Sequence, residues 1–110
     1  LVLLVQLDDA GFRAFFAGSP IKRIGRARFL RNVLIAIGNS ETSGLAMAAE
    51  SLLDDPAPII RGAAVWALAR LAPERAQARA AAALTHESDA DVRDEWDRAA
   101  QGRQAPPTRL

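Results

Sequence analysis

The stretch Ile59-Ile60-Arg61-Gly62-Ala63-Ala64-Val65-Trp66-Ala67-Leu68-Ala69-Arg70-Leu71 decides the fold class of this chain. Its apolar residues fall on nearly every face of a helical wheel, the pattern of a helix sandwiched between neighbours rather than lying on a surface. Most of them are alanine or leucine, which form helices readily. Upstream, Asp54-Asp55-Pro56-Ala57-Pro58 reads as a turn. Downstream, Pro73 suits the first residue of another helix and places Glu74 near its positive end.

The same pattern recurs on both sides. Val33-Leu34-Ile35-Ala36-Ile37 matches Ala64-Val65-Trp66-Ala67-Leu68 at an offset of 31, and the pairs Leu30-Arg31, Ile60-Arg61 and Val92-Arg93 recur 30 and 32 residues apart, each opening a helix. A helix–turn–helix unit of this period is the mark of an α-solenoid, whose units bury their faces only by stacking on one another. The expected fold is therefore all-α, a short α-solenoid of HEAT-like helix pairs. Asp8 or Asp9 caps a short helix to Ala17, with Phe12, Phe15 and Phe16 at helical spacing, and Gly18 to Gly25 reads as a loop. The next helix is predicted from Arg26 to Gly38, with Phe29, Leu30, Val33, Leu34 and Ile37 as its apolar stripe. Thr42 or Ser43 begins another to Leu53, burying Leu45, Met47, Ala48, Ala49 and Leu52. Further helices run from Pro73 to Thr85, and from Ser88 or Asp89 to a stop at Gly102. Residues 1–25 then form N-terminal helices with a basic loop, 26–102 the HEAT-like repeats, and 103–110, with Pro106-Pro107, a flexible tail.

At 110 residues the chain suits one domain. It has no cysteine and a single histidine, His86, so disulfides, thiolate metal sites and cysteine nucleophiles are excluded within it. Leu1-Val2-Leu3-Leu4-Val5 is too short to span a bilayer, and no membrane partner is expected. Its uncapped, apolar start reads as the continuation of a longer chain.

The net charge is +1, but the charge is unevenly placed. Between Ala10 and Ser40 there is no Asp or Glu, while Arg13, Lys22, Arg23, Arg26, Arg28 and Arg31 all fall there. Free backbone N–H groups at a helix start, its positive dipole end and several guanidinium forks suit phosphate binding. Cations at such a helix start are otherwise disfavoured by a few tenths of a kcal/mol each, roughly. The alternative is a solvated basic surface. Trp66 and Trp96 sit at core spacing rather than as base-stacking platforms, and Arg61 and Arg93 suit the turns between repeats, as caps or ion-pair partners. Asp54, Asp55, Asp89 and Asp91 read as cap and turn residues, and His86 as an exposed residue near a helix end. No phosphate-cradling glycine motif, metal-ligand spacing or nucleophile–base set is present, so no catalytic residue is assigned.

Phe12-Arg13, then Gly18-Ser19-Pro20-Ile21-Lys22-Arg23-Ile24-Gly25-Arg26, Phe29-Leu30-Arg31-Asn32 and Ile35-Ala36-Ile37-Gly38-Asn39-Ser40, resemble the C-terminal part of epoxyqueuosine reductase. Ile60-Arg61-Gly62 with Ala64 to Ala69 is similar to that family's HEAT-like repeats. The resemblance implies a cytoplasmic iron–sulfur and cobalamin oxidoreductase of tRNA queuosine biosynthesis. Its two four-iron clusters and cobalamin belong to N-terminal catalytic and cluster domains that lie outside these residues, so no cofactor is expected here. Carried onto this chain, the resemblance implies a module that docks tRNA through its anticodon stem-loop backbone. Ser19, Lys22, Arg23, Arg26, Arg28 and Arg31 are the nucleic-acid-binding candidates, and the same basic loop abuts the remaining domains. Two other classes stay open: an adaptor whose basic strip meets an acidic protein, and a purely structural module packed on an adjacent domain.

Overall fold

The computed structural model describes residues 5–18 and 21–102, with the backbone alone at 21–23. Those residues form six α-helices and no strand: α1 (Asp9–Phe15), α2 (Ile21–Asn39), α3 (Ala46–Glu50), α4 (Pro58–Leu71), α5 (Pro73–Leu84) and α6 (Ala90–Ala100), with a single 3-10 turn at Ser43–Leu45. The chain is all-α. Leu1 to Leu4, Ser19 and the 103–110 tail lie outside the described residues.

The helix starts follow local chemistry. Asp8 Oδ1 accepts the Gly11 N–H at 2.7 Å to cap α1, and Asp89 Oδ1 accepts the Asp91 and Val92 N–H groups at 2.9 and 3.1 Å to cap α6. Each satisfies a donor that the first helical turn leaves unpaired. Pro58 and Pro73 open α4 and α5, where their missing N–H costs nothing.

Helix α4 is the centre of the molecule and packs against α2, α3, α5 and α6. Ile60 and every residue from Ala63 to Ala69 are buried, as the continuous apolar pattern requires. From α2, Leu30, Val33, Leu34 and Ile37 join this core, and α6 contributes Val92, Trp96 and Ala99. Helix α5 buries only Ala76 and Ala80, one turn apart on a single face.

Three expectations are corrected. The predicted helix ending at Leu53 is instead the 3-10 turn followed by α3, which stops at Glu50. Ser51 Oγ donates to the Ala48 carbonyl at 2.7 Å, a local bond that competes with helix propagation. Met47 points out of this segment and is 73% exposed, and Phe15 is likewise on the surface. The loop predicted from Gly18 to Gly25 contains a helical turn, Ile21 to Ile24, before the break at Gly25.

Gly25 has φ 80° and ψ 161°, a region open essentially to glycine alone. It lets the chain change direction so that a fresh helix starts at Arg26. Gly25→Ala is expected to destabilise the fold by about 1 to 2 kcal/mol, a fall of several degrees in thermal midpoint. A circular dichroism melt matching the parent's would rule out that role.

Candidate nucleic-acid interface

The break at Gly25 leaves Arg26, Arg28 and Arg31 in the first turns of the long half of α2. The three guanidinium groups do not act together. Arg26 turns inward, its Nε donating to the Leu7 carbonyl at 2.6 Å. Its Nη2 pairs with Asp55 Oδ1 at 2.7 Å, and its Nη1 reaches Oδ2 at 3.4 Å. The Asp55 side chain is 5% exposed and Arg26's 17%. Asp55 Oδ2 also accepts the Ala57 N–H at 2.9 Å. A buried carboxylate must be paired and hydrogen-bonded, and Arg26 meets that need. Its assignment as a phosphate-facing residue is therefore corrected: it ties residue 7 and the turn before α4 to the start of α2.

Arg28 is exposed and has no ion-pair or hydrogen-bond partner among the described residues. Arg31 is half-buried, and its Nη2 donates to Asn32 Oδ1 at 3.3 Å. Lys22 and Arg23 lie on the helical turn before Gly25 by their backbone, while Ser19 falls outside the described residues. Arg13, the other cation of the acid-free stretch, bridges Asp9 at 3.2 Å on the exposed face of α1.

The turns between helices carry a recurring acid–arginine arrangement. Arg61 Nε and Nη2 engage both Glu87 carboxylate oxygens at 2.9 Å each, and its Nη1 donates to the Asp55 and Pro56 carbonyls at 2.9 and 3.0 Å. Arg93 Nη1 donates to the Leu84 and Glu87 carbonyls at 2.7 and 2.8 Å. Asp55 and Glu87 are thus equivalent, 32 residues apart. Each accepts a backbone N–H two residues on, pairs with an arginine of an earlier helix, and offers its own carbonyl to an arginine six residues later. The Arg61 hydrogen bonds hold the Glu87 carboxyl below the usual carboxylate range, aided by the Asp89 N–H and opposed by burial. The same pairing raises the Arg61 guanidinium above its ordinary value. The roles expected of Arg61 and Arg93 are as found; Glu87 was not singled out from the sequence, because nothing local marks a glutamate 26 residues downstream as its partner. Glu50 was missed for the same reason: it bridges Arg79 at 2.6 Å and Arg75 at 3.2 Å.

All four phenylalanines fall within the acid-free stretch and converge in one cluster. Phe12 and Phe29 have ring centroids 5.5 Å apart, with Phe16 at 5.1 and 4.9 Å from them respectively. Phe15 stands edge-on to Phe16 at 4.8 Å and 67°. Burial is graded, from 1% exposure at Phe12 to 59% at Phe15.

Iron–sulfur clusters are held by cysteine thiolates. The chain has none, so these residues do not fit the clusters that the resemblance implies. Among the described residues no group of three or more His, Cys, Asp or Glu could hold a metal ion, and no helix is long and apolar enough to cross a membrane.

No family model and no solved structure gives a significant match to the chain. Curated proteins do. The epoxyqueuosine reductase of Alicycliphilus denitrificans is 35% identical over 78 residues, covering 64% of this chain and 22% of that protein. That of Xanthomonas campestris pv. campestris is 41% identical over 68 residues, 61% of this chain and 19% of the relative. The Salmonella typhimurium epoxyqueuosine reductase is 33% identical over 75 residues, 68% of this chain and 20% of the relative. The chain spans about a fifth of the length of these relatives. Its α-helical, cysteine-free sequence is therefore related to one segment of the epoxyqueuosine reductases.

Proposed function

We propose that this chain is the tRNA-docking part of an epoxyqueuosine reductase, a stack of HEAT-like helix pairs that grips the backbone of the anticodon stem-loop. The observation that carries the reading is Arg28. It projects, exposed and uncompensated by any described acidic group, from a helix start within an acid-free stretch of a relative of that enzyme. Lys22 and Arg23, whose backbone forms the preceding turn, and Arg31, one helical turn on, belong to the same acid-free stretch, as does Ser19 by sequence. Arg26 holds the strip in place rather than touching RNA. An RNA stem presents phosphates and 2′-hydroxyls rather than a readable set of base edges, so such a module supplies affinity and register. In this reading, epoxide reduction, with its cobalamin and iron–sulfur clusters, belongs to parts of the cytoplasmic reductase outside these residues, which the basic strip would abut.

The test is tRNA affinity as a function of salt. Each neutralised phosphate contributes roughly 0.7 to 0.9 to the log–log slope. Arg28→Ala should reduce that slope by about one and leave the thermal midpoint unchanged. Arg26→Ala is the contrasting variant: it strands the Asp55 carboxylate and should lower stability instead. An Arg28→Ala protein that keeps the parent's affinity and slope would move the strip's role to an acidic protein partner or to packing alone.

A further inference from the structure

The exposed ring of Phe15 is unexplained by packing. Phe12, Phe16 and Phe29 already close the aromatic cluster among themselves, and Phe15 adds only an edge contact with Phe16. A phenyl ring that is 59% exposed forfeits most of the gain from burial. It nevertheless stands two ring contacts, 4.8 and 4.9 Å long, from Phe29, and Phe29 directly follows Arg28 on α2. Phe15 lies within the acid-free stretch, and the acids nearest to it in sequence, Asp8 and Asp9, serve as the α1 cap and as the partner of Arg13. An exposed aromatic plane in the same acid-free stretch as an exposed cation is a combination that suits unpaired nucleotides, with phosphates held by the cations and a base stacked on the ring.

We infer that Phe15 is a stacking platform for one unpaired base of the bound RNA, with Arg28 holding a neighbouring phosphate. The inference rests on the tRNA-docking reading and adds a non-electrostatic contact to it. The rigidity of the cluster matters. Phe16 packs against both Phe12 and Phe29, so the ring edge on which Phe15 leans is held in place. Stacking is tolerant of base identity because every base has a π-face. Phe15 would therefore distinguish looped from fully paired RNA rather than one loop sequence from another.

The experiment compares the parent protein with Phe15→Leu, which keeps apolar bulk without a π-face, and Phe15→Trp, which enlarges the face. Two RNAs are used: an anticodon stem-loop and a blunt duplex of the same stem. Phe15→Leu should weaken stem-loop binding about 5- to 100-fold, leave the salt slope unchanged, and leave duplex binding as in the parent. Phe15→Trp should bind the stem-loop at least as tightly as the parent. A Phe15→Leu protein that binds the stem-loop as tightly as the parent overturns the stacking role while salt-dependent binding by the parent keeps the docking reading intact. If the parent shows no salt-dependent RNA binding at all, the docking reading fails and the stacking role with it. If both RNAs lose equal affinity in Phe15→Leu, the ring acts through the fold and the inference is likewise overturned.

Discussion

Arg61→Ala is expected to lower the unfolding free energy by about 3 to 4 kcal/mol, within the usual range for removing one partner of a buried ion pair. The substitution leaves the Glu87 carboxylate, whose side chain is 7% exposed, without its bidentate partner, and it strips the donor from the Asp55 and Pro56 carbonyls. A loss of that size is a large share of the total stability of a domain this small. Arg61→Lys should recover only part of it, because an ammonium cannot engage both carboxylate oxygens and reach two carbonyls on a third edge at once. Urea or thermal unfolding of the three proteins decides the matter. Equal stability of Arg61→Ala and the parent would remove the acid–arginine turns from the forces that hold the helices together.

The pH dependence follows from the same pair. The Glu87 carboxyl titrates below the usual carboxylate range in the folded chain, so on acidification the unfolded chain takes up its proton first. The stabilisation is fully present above the unfolded value, near 4.3, and is lost as pH falls through the lower folded value. Arg61, raised in the fold, stays charged throughout. The stability difference between the parent and Glu87→Gln should accordingly be largest near neutrality and shrink below about pH 4. A difference that is constant down to acid pH would mean that the carboxylate's charge is irrelevant there.

Gly38→Ala is expected to cost about 2 to 3 kcal/mol, at the upper end for overpacking by one methyl group. Near the C-terminal end of α2, Gly38 lies directly against α4. A Cβ there would sit 2.5 Å from Trp66 Cζ3, 3.0 Å from Cε3 and 3.2 Å from the Ala67 Cα. The ring cannot simply swing aside, because the Arg70 guanidinium lies over it at 5.2 Å and Arg70 Nε also donates to the Gly38 carbonyl at 3.1 Å. The helices would have to separate, uncovering Leu34 and Ile37. Alanine's better helix propensity, about 1 kcal/mol over glycine, offsets only part of the clash. Trp66→Leu should make room, so the double variant should lose less than the two single losses combined, with a coupling of about 1 kcal/mol or more. Chemical unfolding of the cycle measures this. A Gly38→Ala protein as stable as the parent would show that α2 and α4 do not approach so closely.

Reading the residues alone goes furthest where structure is local. The uninterrupted apolar run of α4 announces a buried helix, since no single face could be left to water. Pro73 and Asp89 mark helix starts because φ restriction and capping act within one turn, while Pro58, read as the end of a turn, is itself the first helical residue. The recurrence of Arg61 and Arg93 at the same register after a turn marks them as turn caps or ion-pair partners, and their carbonyl bonds lie within a few residues of each. Charge segregation marked the strip around Arg28.

What the order of residues could not decide is which distant groups meet. Arg26 and Arg28 are chemically alike and two positions apart, yet one is consumed by Asp55, 29 residues away, and the other is left in solvent. That division depends on the turn before α4 folding back onto the start of α2. Glu87 and Glu50 acquire their arginines in the same way, and the exposure of Phe15 and Met47 follows from which helix faces find neighbours. Composition and apolar patterning determined that the chain is all-helical with a basic segment. Only tertiary packing decided which cations are spent inside the fold and which face outward, because an ion pair's partner is set by through-space proximity and desolvation, neither of which is a property of sequence spacing.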